Sequence, residues 1–89
     1  MIFFSEPYLY VISHEHKKIL KETANLLRTL RIEKKLSQEQ LAFEIGMSRT
    51  QYQAIERGIT NFGILTLYRL AEVLEVDPIS LVIPQEKQT

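Results

Sequence analysis

Arg49, Thr50, Gln53 and Arg57 recur along one side of a helical repeat. Their side chains carry chemistry of recognition rather than of reaction. A guanidinium can donate two hydrogen bonds to guanine O6 and N7. A carboxamide can pair with adenine N6 and N7, and threonine offers a hydroxyl together with a methyl that suits thymine. The same residue types also clothe any solvated helix, so residue type alone does not decide between the two readings. Reactive chemistry has little to work with. There is no cysteine, which removes disulfides, thiolate metal sites and thiol nucleophiles together. His14 and His16 stand two apart, do not share a helix face and have no further ligand to complete a site, so no metal is expected. The acids are scattered without a catalytic constellation, and no glycine-rich loop could cradle a nucleotide phosphate. The sequence therefore gives no catalytic residue, no cofactor and no small-molecule ligand, and an enzyme is not expected.

The chain has 89 residues, with eleven Lys and Arg against eleven Asp and Glu. That length allows one domain with a modest core. The zero net charge hides a distribution. Residues 1–16 carry Glu6 and Glu15 and no Lys or Arg, a charge of −2. Residues 17–57 carry nine basic and five acidic side chains, or +4, and residues 58–89 return to −2. A basic centre lies between two acidic flanks, which suits either an anionic partner or a solvated face. No apolar run approaches the ~20 residues that span a bilayer, so no membrane partner is expected. Residues 1–12 lack a basic leader and are interrupted by Pro7, which argues against a signal peptide. A cytoplasmic location is expected.

The elements that must position the recognition residues are legible from their punctuation. Residues 2–12 are rich in aromatic and β-branched types, and Pro7 allows an edge strand or a kinked arm, so an extended or β-like N-terminal arm is expected over 1–16. From a cap at Ser13, apolar residues Ile19, Leu20, Ala24, Leu27 and Leu30, with Arg31, predict a helix ending near Lys34–Lys35. Ser37-Gln-Glu-Gln40 is a capping box, and Ser48-Arg-Thr-Gln51 repeats it eleven residues later. Gly46 and Gly58 stand where a chain leaves a helix with positive φ. Two helices, 37–45 and 48–57, follow, joined by a turn in the manner of a helix-turn-helix. In the second, Tyr52 and Ile55 face inward, and the tyrosine hydroxyl is expected to reach solvent. A further helix over 64–75 turns Ile64, Leu67, Leu70, Ala71 and Leu74 inward. Asp77-Pro78 starts a short last helix through about Val82, Pro84 stops it, and 85–89 is a polar tail.

The run Ser37-Gln38-Glu39-Gln40-Leu41-Ala42-x3-Gly46-x-Ser48-x6-Ile55-Glu56-x-Gly58 resembles the lambda-repressor/Cro type of helix-turn-helix domain, the XRE-like family. The likeness covers residues 24–82. It implies an all-α, five-helix DNA-binding domain over 17–84, with its motif at 37–57 and helix 48–57 in the major groove of double-stranded DNA. It also assigns roles. Arg49, Thr50 and Gln53 would read bases, while Gln38, Ser48, Arg57 and Asn61 would hold the DNA backbone. Arg31 and Glu56 would form a structural ion pair locking the first helix to the recognition helix. Two departures stand out. The segment Ile59–Gly63 has no charge where relatives often carry Lys or Arg, which implies a shallow salt dependence. Tyr52 replaces a smaller Val or Ile. Within the family, Arg49-Thr50 and Glu56-Arg57 are most similar to the controller proteins of restriction–modification systems, with prophage repressors and antitoxins as close variants. Such proteins are homodimers on palindromic operators. The apolar Ile79, Leu81, Val82 and Ile83, or else the N-terminal arm, are the expected interface. The rival reading is a protein-interaction module with weak or no DNA binding.

Overall fold

The computed structural model describes residues 6–82, with side chains from His14 onward. The order of elements is α1 (Glu6–Glu33), α2 (Gln38–Glu44), α3 (Arg49–Glu56), α4 (Ile64–Leu74) and a single 3-10 turn at Pro78–Leu81. There is no strand among the described residues. The all-helical class matches the sequence reading. The expected fifth helix is that short 3-10 turn, begun as anticipated by Asp77, whose side chain accepts from the Ile79 amide at 2.9 Å.

The N-terminal expectation needs correction. The backbone is helical from Glu6, so residues 6–16 belong to the 28-residue α1 and are not an extended arm capped at Ser13. Pro7, compatible by sequence with an edge strand or a kinked arm, sits in the first turn of α1. There its missing N–H costs nothing and its fixed φ suits the helix. Aromatic and β-branched content is a weak local preference that context overrides. The arm side chains Ile2, Phe3, Phe4, Tyr8, Tyr10 and Ile12, together with Ile83, Pro84 and the 85–89 tail, lie outside the described residues.

Each α-helix ends in the same manner. The residue after the last turn takes a left-handed conformation, and the next amide reaches back five residues. Leu36 N donates to Arg31 O, Met47 N to Ala42 O, Ile59 N to Ala54 O, and Val76 N to Ala71 O, at 2.9–3.3 Å. Gly46 and Gly58 supply two of the left-handed positions, as their sequence placement predicts. Lys35 and Glu75 supply the other two at φ 59°, although each carries a Cβ. These two ends lie together: Lys34 Nζ meets Glu75 Oε2 at 2.8 Å, holding the Glu75 carboxyl below its ordinary pKa.

The core gathers one face from every element. Leu27 comes from α1, Leu41, Ala42 and Ile45 from α2, Tyr52 and Ile55 from α3, and Leu70, Ala71 and Leu74 from α4. Leu81 closes the core from the 3-10 turn and is only 1% exposed. Leu81, expected at an exposed apolar surface, is therefore part of the core of this chain. Ile64 departs in the other direction. It was expected inward and is 66% exposed, since it opens the first turn of α4 before the helix meets the core. Ile19 is likewise exposed. No helix among the described residues is long and apolar enough to cross a membrane.

The two turn glycines are not equivalent. A Cβ on Gly46 would have only the Arg69 side chain nearby, at 3.9 Å. A Cβ on Gly58 would stand 3.0 Å from Lys21 Cα and 3.3 Å from the Leu20 carbonyl oxygen. Both alanine variants incur left-handed strain of about 1–2 kcal/mol. Gly58→Ala should lose clearly more stability than Gly46→Ala in denaturant unfolding, because α1 and α3 must also separate.

Candidate nucleic-acid interface

Helices of seven and eight residues are too short to persist alone, so α2 and α3 depend on their ends and their packing. Both capping boxes form in full. Ser37 Oγ accepts from Gln40 N at 3.0 Å, and Gln40 Oε1 accepts from Ser37 N at 2.7 Å. Ser48 and Gln51 repeat this at 3.1 and 2.9 Å. Each serine cap contributes about 1 kcal/mol. The Gln51 side chain is thereby committed to the start of α3.

The inner face of α3 buries Tyr52 and Ile55, and its outer N-terminal end presents Arg49 and Thr50, both exposed. This is the division read from the sequence. Ser48 is exposed at the cap, and Arg57 is exposed where the helix ends.

Behind this face lies the Arg31–Glu56 pair. Arg31 Nε donates to Glu56 Oε2 at 2.9 Å and Nη2 to Oε1 at 3.1 Å, a bidentate contact. Arg31 Nη1 donates to the Leu36 carbonyl at 2.7 Å. The two side chains are 12% and 4% exposed. The hydrogen bond that Arg31 donates to Glu56 raises the Arg31 pKa above its ordinary value. Glu56 also accepts a long 3.4 Å bond from Gln38 Nε2, and Gln38 Oε1 accepts from Gln53 Nε2 at 3.1 Å. Gln38 and Gln53 are therefore partners of each other and half-buried, which the sequence did not reveal.

Tyr52 corrects a second expectation. Its ring is fully buried, and its hydroxyl does not reach solvent but lies beside the ion pair, making no hydrogen bond among the described residues. Burial, and then the negative charge of Glu56, pushes the phenol well above its ordinary pKa.

Arg31, Gln38, Gln53, Glu56 and Arg57 line one open basin of about 420 Å³, joined there by Arg28 of α1. Sequence reasoning missed Arg28. The available signal was its place three residues before Arg31, on the same helix face. Asn61 is not brought to this basin. It lines a separate hollow with His16, Ile19 and Leu20.

Removing Glu56 leaves the Arg31 charge buried and unpaired. Glu56→Ala should cost about 3–5 kcal/mol in chemical denaturation, and replacing both partners by apolar residues should recover much of that loss. A Glu56→Ala protein as stable as the parent would remove the structural role of the pair.

Comparison with known proteins agrees with this geometry. The helix-turn-helix family HTH_3 matches residues 27–81. The uncharacterized HTH-type transcriptional regulator y4dJ of Sinorhizobium fredii is 40% identical over 58 residues, covering 65% of this chain and 75% of that protein. The restriction–modification controller protein C.AhdI from Aeromonas hydrophila superposes with a TM-score of 0.71 at 38% identity, over 76% of this chain and 99% of that one. The hypothetical transcription factor NHTF from Neisseria gives a TM-score of 0.71 at 30% identity, over 78% and 79%. The chain belongs to the HTH_3 helix-turn-helix family, whose members are DNA-binding transcriptional regulators.

Proposed function

We propose that this protein is a sequence-specific regulator that binds a palindromic operator as a homodimer, in the manner of a restriction–modification controller or a prophage repressor. The observation that carries this reading is the presentation of α3. Arg49 and Thr50 stand exposed at its N-terminal end, while Tyr52, Ile55 and the Arg31–Glu56 pair hold its other side against the core. A helix held this way can enter the major groove with its first residues toward the base edges. Arg49 and Thr50 read bases, with Gln53 beside them oriented by Gln38. Ser48, Gln38 and Arg57 meet the DNA backbone, and Asn61 meets it from the loop after α3. Likeness to C.AhdI supports the controller assignment. The protein works in the cytoplasm, without metal or cofactor.

The dimer is proposed on the apolar surface that the core leaves uncovered. Ile79 and Val82 remain exposed, Ile64 of α4 lines the same hollow as Val82, and Leu65 and Tyr68 of α4 are exposed as well. Such a twin would set two α3 helices about one DNA turn apart, ~34 Å. The exposed apolar residues, the uncharged Ile59–Gly63 loop and the zero net charge support a second reading, a protein-interaction module or antitoxin with weak or no DNA binding.

Selection of bound duplexes from a random pool separates the two. The expected product is a site with two-fold symmetry. No retained duplex at ~50 mM salt would favour the interaction module. On the selected site, Arg49→Ala should relax preference at one base pair per half-site, at about 1–3 kcal/mol. Uniform weakening on every sequence would make Arg49 a phosphate contact instead.

A further inference from the structure

The basin beside α3 holds more positive charge than its ion pair consumes. Its walls carry three guanidinium groups, from Arg28, Arg31 and Arg57, against the single carboxylate of Glu56. Arg31 is neutralised by its bidentate contact with that carboxylate. Among the described residues, neither Arg28 nor Arg57 forms an ion pair. Two positive charges therefore face one open concavity from different helices, with the amides of Gln38 and Gln53 between them as neutral hydrogen-bonding groups. Guanidinium groups are suited to the oxygens of a phosphodiester, which they can meet with paired N–H donors.

The placement along α3 selects the source of that phosphodiester. Gln53 and Arg57 follow Arg49 by four and eight residues, so the basin spans about 6 to 12 Å along the helix axis from Arg49. The major groove is ~12 Å wide, so its walls stand about 6 Å from its midline. With Arg49 over the base edges, the basin falls where the groove meets its sugar–phosphate wall.

We infer that this basin seats one phosphate of the DNA backbone, gripped by Arg28 from α1 and Arg57 at the C-terminal cap of α3. Arg28 is then a DNA contact, and α1 takes part in docking as well as in packing. The seat rests on the DNA-binding reading above, and it explains how a chain with an uncharged loop after α3 still neutralises the duplex backbone.

The test measures binding of the parent, Arg28→Ala and Lys17→Ala to the selected operator and to a random duplex between about 50 and 200 mM salt. Lys17 is an exposed cation on α1, three turns away from Arg28. Arg28→Ala should weaken both duplexes by a similar factor, on the order of tenfold at low salt. It should lower the slope of log affinity against log salt by about one, so that the deficit shrinks roughly threefold across the range. Lys17→Ala should leave the slope unchanged. Thermal unfolding checks that the variants keep the parent fold, and Arg28→Gln replaces the alanine variant if they do not. A parental slope in Arg28→Ala would overturn the seat, and so would an equal loss in Lys17→Ala, which would mark a diffuse field. Loss confined to the operator would also overturn it, by making Arg28 a base contact. If the parent itself binds neither duplex, the DNA-binding reading fails first and the seat falls with it.

Discussion

The bidentate contact between Arg31 and Glu56 is the constraint on which the rest of the molecule depends. It joins the last turn of α1 to the last turn of α3, across twenty-five residues of sequence, with both side chains largely removed from water. A buried ion pair gives little net stability over an apolar pair of the same shape. Its value is directional. An apolar contact would let α3 rotate or slide, whereas two parallel N–H···O bonds fix its azimuth relative to α1. The third Arg31 bond, to the Leu36 carbonyl, also ties down the chain as it leaves α1 for α2. One guanidinium thus orients three segments.

Around that pair the short helices are made viable by local devices. α2 and α3 each begin with a reciprocal serine–glutamine cap and each end on a left-handed glycine. Neither device determines where the helix lies; it sets only where the helix starts and stops. Tyr52 and Ile55 supply the burial, and Gly58 lets the exit of α3 pass close to the backbone of α1 at Leu20 and Lys21. The exposed end of α3 is consequently a rigid presentation on a small core.

Most of the motif was legible in the sequence because its signals are local and stereochemical. Capping boxes, turn glycines and the inward pair Tyr52/Ile55 act over three or four residues, and the structure has each of them in place. The features that were not legible depend on tertiary context. Pro7 fits both an edge strand and a helix start, and only the observed backbone distinguishes them. Apolar periodicity names a face but not how far the core extends along it, and the core stops short of Ile64 while reaching Leu81. Lys35 and Glu75 at left-handed positions carry no signal in their residue types. Arg28 was missed because its significance comes from what stands opposite on α3.

The contact from Glu56 through Gln38 to Gln53 has a consequence for the sense of hydrogen bonding at the outer surface. A carboxylate can only accept. Glu56 therefore compels Gln38 to turn its amide nitrogen inward, which leaves the Gln38 carbonyl facing Gln53. That carbonyl in turn compels Gln53 to present its own nitrogen, so the remaining Gln53 oxygen is directed by a charge two hydrogen bonds away. A carboxamide is otherwise free to flip. Here the flip is decided by a buried anion, and the donor–acceptor order of a half-buried side chain is inherited from the interior.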